Sequence, residues 1–444
     1  MKLIKILNFK FKYKNFLNIG NALFLIGIFF LPSALPLGII FLLTAIIISF
    51  CFTKENFFQN RWNLILFLCL ILIIFSTIYS SILNPAESLI DFDKSTIWLN
   101  LFNWVPIYFF FIGFQIYMKS EKQKLLFQKV LIAGTVPVIV SCIMQKFLNI
   151  YGPFETLFGT IVWFNYKHAA EQASGLFNNP NYLGMWLTLC LPFSLSALKL
   201  EKSSFLNSII IYLINILIIY FAFATFSRNA FIGIVLSLFF IIERRKLILF
   251  SISFFLSLFV FSYVLPDFLN IFQINFSELS DSNTFQKFSS LQFNPNNPRI
   301  AIWSNVIDFI SMRPLFGWGP GSFPHVFYEN AYLEIPLTKY QHTHNLILEL
   351  AYNFGIPIAF LIVSTIFSIF MNTFKKINSL NKLLNLYSLN KPILASFSIF
   401  LIAHLTDITY YDGKLSILFS VLLAGLKNVI DENNELNNNQ LTIK

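Results

Sequence analysis

The run Leu64-Ile65-Leu66-Phe67-Leu68-Cys69-Leu70-Ile71-Leu72-Ile73-Ile74-Phe75 is continuously apolar and lies inside a stretch, 63 to 82, that carries no charge. The hydrocarbon core of a bilayer requires roughly 20 such residues to be crossed as a helix. Similar stretches, broken by Pro, Gly, Asn or charge clusters, occur on either side of it. They fall at 19–34, 36–52, 97–117, 125–148 and 179–198 in the first half, and at 206–225, 228–242, 247–265, 344–371, 392–410 and 413–427 in the second. The first pair is separated only by a tight turn between Pro32 and Pro36.

Composition agrees. Of 444 residues 56% are hydrophobic and 12% charged, with a mean hydropathy of +0.68, whereas soluble domains carry about 25% charge. A water-soluble core cannot absorb that much apolar surface. The expected fold class is an all-α polytopic membrane protein of about twelve transmembrane helices. It comprises a basic arm (1–18), helices 1–9 (19–265), a long loop (266–343), helices 10–12 (344–427) and a tail (428–444). The basic start, Lys2 to Lys14, leads into a hydrophobic run that continues, so the first span serves as its own targeting signal. Cys51, Cys69, Cys142 and Cys190 all sit in apolar segments and read as packing residues. No repeat of fixed period is present.

The formal net charge of +10 invites a nucleic-acid reading, but its distribution points to membrane orientation instead. With the N-terminus in the cytoplasm and sides alternating, 22 of the 31 Lys and Arg residues fall inside, and four of the other nine lie in the long loop, where the charge rule is weak. Both termini are then cytoplasmic. The outer segments 149–178 and 266–343 far exceed the usual connection of about 4–6 residues. Within the second, Asn275 to Asn297 is rich in Ser and Asn and reads as mobile. Asn297-Pro298-Arg299 reads as a helix start, followed by Ile300, Ile302, Trp303, Val306, Ile307 and Ile310 on a helix lying along the membrane surface, apolar face down. The Asn-rich end, 431–444, reads as disordered. Asn275-Phe276-Ser277 fits the glycosylation sequon and is discounted as chance.

Of six arginines, Arg228, Arg299 and Arg313 fall on the outer side, against the orientation bias. Arg228 interrupts two spans within Thr225-Phe226-Ser227-Arg228-Asn229. A permanent cation there faces a partner or wet cavity, or else snorkels to headgroups. Arg299, near a helix N-terminus, is placed to complete a phosphate site, the alternative being a plain surface arginine. Arg313, before Pro314, reads as structural. Gly317, Gly319 and Gly321 lack the spacing and βαβ context of a dinucleotide fingerprint, and read as a turn that lets backbone approach the membrane or a ligand. His342 and His344 stand in Gln341-His342-Thr343-His344-Asn345 before a long apolar helix. An imidazole at a helix N-terminus is biased neutral, which suits a general base; a pair of interfacial, hydrogen-bonded histidines is the alternative. No metal site is expected, because no third and fourth ligand stands at a usable spacing. His168 and His325 have uninformative neighbours. His404 and Asp407, three apart, read as a structural pair inside the bundle.

On these residues the chain resembles the O-antigen ligase and polysaccharide polymerase superfamily over most of its length. Asn179-Pro180-Asn181 opening a span, Thr225 with Ser227-Arg228, Arg299 with Trp303 before Pro314 and the glycine turn, and His344-Asn345 nine residues ahead of Gly355 are similar to its motifs and occur in the same order. Ile358 departs from the ligase pattern, which favours Gly, Thr or Tyr there. The resemblance implies a GT-C-like helical bundle in the bacterial inner membrane, with a periplasmic active site and short helices in the long loop. It implies an undecaprenyl-diphosphate-linked oligosaccharide donor and a glycan, lipid A-core or protein acceptor, with the bilayer as setting and no nucleic acid or cofactor. It assigns the donor diphosphate to Arg228 and Arg299 and catalysis to His344. Asn345, Glu349, Arg313, His342, Gly319 and Gly321 are candidate supporting residues. The expected reaction is inverting, metal-independent glycosyl transfer. The rival readings are a secondary transporter, which would show internal repeats and polar residues near the bilayer midplane, and a protein-directed oligosaccharyltransferase.

Overall fold

The computed structural model describes residues 2–53, 57–83, 92–168, 171–200, 205–242, 298–330, 340–384 and 389–441, with side chains from 15 to 431 apart from those at 200, 298, 329–330 and 380–384. The expected span 247–265, the Ser/Asn-rich stretch 275–297 and the Asn297 cap lie outside the described residues.

Among the described residues, eight helices are long and apolar enough to cross a membrane. They lie at Leu35–Phe52, Arg61–Leu83, Ser95–Met118, Glu121–Phe147, Pro180–Lys199, Phe205–Ala224, Ile356–Ser379 and Gly413–Asp431, with shorter apolar helices at Asn15–Phe30, Arg228–Ile241 and Asn390–Ala403. In chain order the elements are α1 (Lys2–Phe30), α2 (Leu35–Phe52), α3 (Arg61–Ile78), α4 (Ser95–Leu101), α5 (Val105–Phe114), α6 (Glu121–Phe147), strands β1 (Phe154–Thr156) and β2 (Ile161–Trp163), α7 (Pro180–Leu200), α8 (Phe205–Ala224) and α9 (Arg228–Ile241). They continue as α10 (Pro298–Met312), α11 (Phe323–Asn330), α12 (Leu346–Phe354), α13 (Ile356–Leu384), α14 (Asn390–Ala403) and α15 (Gly413–Leu441).

Local signals start these helices. Ser120 and Gln123 form a reciprocal capping box at α6. Asn60 accepts the Trp62 N–H at 3.0 Å at α3, and Asn345 accepts the N–H groups of Ile347 and Leu348 at α12. Burial then separates centre from rim: 83% of the α15 span and 78% of the α7 span are enclosed by protein, against 22% for α8 and 28% for α2. Helix α7 packs on α8, α9 and α14, while α15 packs on α5, α13 and α14. The segment after α6 holds a two-stranded hairpin, Phe154 opposite Trp163, tied down by Trp163 Nε1–H donating to the Ser33 carbonyl at 2.9 Å.

The structure departs from the expected boundaries in five places. The stretch 344–371 is two helices, because Gly355 has φ +89 and the next amide, Ile356 N–H, bonds the Pro314 carbonyl at 2.7 Å. A side chain at Gly355 would run into the Leu315 backbone. The stretch 97–117 is divided among α4, α5 and a 3-10 turn at Gln115–Met118. The stretch 392–410 leaves helical geometry after Ala403. Helix α15 continues through the Asn-rich end to Leu441, with Lys427 pairing Asp431 one turn on at 2.6 Å, since extending an existing helix costs far less than nucleating one. Finally, α10 starts with Pro298 as expected, but its apolar face, Ile302, Val306 and Phe309, is buried in protein and packs against α12, while Ile300 and Ile307 remain exposed. Its neighbour is the helix that follows the histidine pair, which brings Arg299 to that end of the bundle.

The glycine turn is pressed onto α12. Trp318 and Gly319 amides bond the Tyr352 and Asn353 carbonyls at 2.8 and 3.0 Å, and Gly317, at φ +64, leaves no room for a Cβ against the Tyr352 carbonyl. Backbone does approach closely here, with other backbone as the counterpart. Gly319 faces Ser80 and Ile97, and Gly321 faces Asn100, so both shape the scaffold. Arg313 lays its guanidinium over the Trp318 ring, 4.9 Å from the centroid, consistent with a structural role.

Candidate active site

Three asparagines, each at the start of a helix, converge on the loop that follows α14. Asn179 accepts the Asn181 amide at 2.8 Å, and Pro180 supplies a pre-set φ at the first position of α7. Asn181 Nδ2 is thereby aimed at Asp407, donating to Oδ2 at 3.0 Å. Asn229, second in α9, accepts from Thr406 Oγ1 at 3.0 Å and donates to the Ala403 carbonyl at 3.4 Å. Asn345, capping α12, donates through Nδ2 to the Leu405 carbonyl at 3.0 Å. The beginnings of α7, α9 and α12 are therefore fastened to residues 403–407. The positive ends of three helix dipoles are directed there.

Asp407 is the hub. Its Oδ1 accepts from its neighbour Ile408 N–H at 3.0 Å and pairs with His344 Nδ1 at 3.1 Å. Burial works to raise its pKa, but the hydrogen bond and charge of His344, with Arg299 and His342 behind them, outweigh it and hold the carboxyl below its ordinary value. An ionised carboxylate only accepts, so His344 donates through Nδ1, and in the neutral ring Nε2 is the acceptor. This assigns the tautomer by network. The expected His404–Asp407 pair is corrected: His404 Nδ1 bonds the Phe400 carbonyl at 2.7 Å and its Nε2 meets Thr409 Oγ1 at 3.3 Å. With α14 ending at Ala403, Asp407 is off the helical face that spacing of three assumes.

His344 sits at φ +57, a conformation few non-glycine residues adopt and one that must be held by its surroundings. Thr343, fully buried, does the holding. Its N–H donates to Glu349 Oε2 at 2.9 Å, its carbonyl accepts from Trp303 Nε1 at 3.0 Å, and its hydroxyl donates to the Asn345 carbonyl at 2.9 Å. Glu349 lacks His344's helical face yet grips the turn through backbone. Burial raises the Glu349 pKa, opposed by hydrogen bonds from Tyr411, Thr343 and Asn353; Tyr411 donates to its Oε1 at 2.5 Å.

His342 lies against both. Its ring centroid is 4.3 Å from that of His344 and 5.7 Å from Tyr411. Burial, the neighbouring His344 and the charge of Arg299 push its pKa down to about 4 against the pull of Asp407, so the ring is neutral at pH 7. Arg299 is half-buried; burial and the like charge of Arg228 lower its pKa while Asp407 raises it. That coupling places Arg228 and Asp407 each within electrostatic reach of Arg299. Arg228 is exposed at the first position of α9.

His342, His344 and Asp407 each present a ligand atom within 4.8 Å of the others. This is the third ligand that sequence spacing did not offer, since Asp407 is 63 residues from His344. A cation bound there would have to displace the His344–Asp407 hydrogen bond and lie within electrostatic reach of Arg299. Asp407, Thr343 and Tyr411 were not singled out as site residues. The one signal for Asp407 was an acidic group between two apolar helices, which is costly without a partner.

This fold and cluster define a multi-pass membrane protein with a cationic, His–Asp-bearing site at one end of its helical bundle. Residues 213–363 match the family model for O-Antigen ligase (Wzy_C), and this match supports the O-antigen ligase superfamily. No curated protein matches it. The matched stretch contains Arg228, Arg299 and His344; Asn181 and Asp407 lie outside it.

Proposed function

We propose that the protein is a glycosyltransferase that moves or polymerises a glycan carried on undecaprenyl diphosphate, at the periplasmic face of the bacterial inner membrane, as an O-antigen ligase or polysaccharide polymerase. The observation that carries this reading is the His344–Asp407 pair standing beside Arg299, with Arg228 in electrostatic reach. Diphosphate needs permanent cations, and two guanidiniums with the starts of α7, α9 and α12 supply them. An acceptor hydroxyl needs a base, and His344 Nε2, backed by Asp407, is one.

In the proposed step the acceptor oxygen attacks the anomeric carbon. Its proton passes to His344 Nε2, the bond from that carbon to the phosphate oxygen breaks with its electron pair on the diphosphate, and the configuration inverts. Asp407 stabilises the imidazolium and the arginines stabilise the departing diphosphate. Such a base is typically worth about 10²- to 10⁴-fold in rate.

The test uses purified protein in nanodiscs, undecaprenyl-diphosphate-linked repeat unit as donor, and either core glycan or a second repeat unit as acceptor. New glycosidic bonds in the wild type and none in His344→Ala are expected. Transfer at the wild-type rate by folded His344→Ala removes His344 from the reaction.

A further inference from the structure

The two histidines of the turn carry opposite tautomers. His344 donates its Nδ1–H to Asp407, and in the neutral ring Nε2 is then the acceptor. At His342 the reverse holds: the backbone N–H of His344 donates to His342 Nδ1 at 3.3 Å, so Nδ1 must offer its lone pair and the single proton of the neutral ring resides on Nε2. The contact is local, from the amide of one histidine to the ring two residues earlier. Among the described residues Nε2 of His342 has no hydrogen-bond partner, although the ring is wedged against His344 and Tyr411. A donor held that firmly and left unmatched is suited to a ligand oxygen.

The geometry points to His342 as an acceptor-binding residue whose Nε2–H donates to a hydroxyl oxygen of the acceptor sugar, next to the hydroxyl that His344 deprotonates. This rests on the glycosyl-transfer reading. Arg228 and Arg299 serve the charged diphosphate, and an uncharged donor adds little beside them. Its ring lies 4.3 Å from the base, which places it on the attacking side of the anomeric carbon, whereas in an inverting displacement the phosphate leaves from the opposite side. The low basicity of the ring fits, since a protonated His342 would lose its Nδ1 acceptor and repel Arg299.

The experiment titrates acceptor and donor separately, using whichever of core glycan or lipid-linked repeat unit the wild type extends. His342→Ala should raise the acceptor KM about 3- to 12-fold, the range of one net hydrogen bond, with the donor KM unchanged. His342→Gln, which restores a neutral N–H donor, should recover most of the loss. An unchanged acceptor KM, or an equal rise in the donor KM, overturns the assignment. Nitrogen-15 NMR of the labelled wild type at pH 7, with His342→Gln identifying the signals, should show the proton on Nε2; a proton on Nδ1 overturns the assignment independently of the kinetics. If His344→Ala abolishes transfer while His342→Ala behaves as wild type, this inference fails and the glycosyl-transfer reading stands. Full transfer by His344→Ala sinks that reading first.

Discussion

Replacing Asp407 by Asn isolates the charge of the site from its shape. The carboxylate accepts three hydrogen bonds, from His344 Nδ1 and the Ile408 amide on Oδ1 and from Asn181 Nδ2 on Oδ2. An asparagine can keep its oxygen toward His344 and Ile408 and turn its NH2 toward Asn181. The resulting donor–donor conflict is relieved if the Asn181 amide flips, its Oδ1 then accepting. Fold and tautomer therefore survive, and what disappears is the attraction between a carboxylate and the imidazolium that forms during transfer. At 3.1 Å and an effective dielectric of about 20, that attraction has a ceiling of about 5 kcal/mol. With His344 partly open to water, a loss of about 3–4 kcal/mol in the transition state is expected, or roughly 10²- to 10³-fold in kcat. The assay is steady-state transfer in nanodiscs at saturating donor and acceptor, with the thermal midpoint measured alongside. Little change in either KM is expected, because the imidazolium exists only past the ground state. An Asp407→Asn protein of normal midpoint that keeps more than a tenth of wild-type kcat would refute the reasoning.

Four further outcomes follow from the same geometry. Arg299→Ala should cost roughly 10- to 150-fold in kcat/KM for the lipid-linked donor, the range of one charge-assisted hydrogen bond, while Arg299→Lys should retain part of it; equal loss toward the acceptor would contradict its placement. The folded pKa of His342 lies below its ordinary 6.5, at about 4, so its contribution is present above pH 6.5 and is lost as pH falls toward 4. The full difference is about 3 kcal/mol at about 1.4 kcal/mol per pH unit, and His342→Gln should flatten this part of the midpoint-versus-pH curve. Chelation with EDTA should leave both transfer rate and thermal midpoint unchanged; restoration of lost activity by a divalent ion would show that His342, His344 and Asp407 hold one. Gly355→Ala should lower stability by at least ~2 kcal/mol, combining a strained positive φ with the collision against Leu315, and a midpoint equal to wild type would count against the kink as drawn.

The membrane architecture was legible in the sequence because it depends on length and apolarity alone. A run such as 64–75 cannot be satisfied in water, and several helix starts are marked by local residues such as Ser120, Pro180 and Pro298. The sequence also drew attention to Arg228, Arg299 and His344, since a permanent cation between apolar segments and a histidine ahead of an apolar helix are anomalies of position. The sequence did not disclose that the span at 344–371 breaks at Gly355, because hydropathy is indifferent to the sign of φ, nor that α10 buries its apolar face in protein, because an amphipathic helix looks the same beside either partner.

The chemistry of the site was decided by tertiary contacts. Sequence spacing paired Asp407 with His404, its neighbour by helical periodicity, whereas the chain leaves the helix at Ala403 and carries the carboxylate to His344, 63 positions away. Glu349 reaches the histidine turn through a backbone amide, a contact without sequence signature. Which groups are near the membrane was a one-dimensional property of this protein; which lone pair meets which proton depended on the packing of α7, α9, α10 and α12 around one loop.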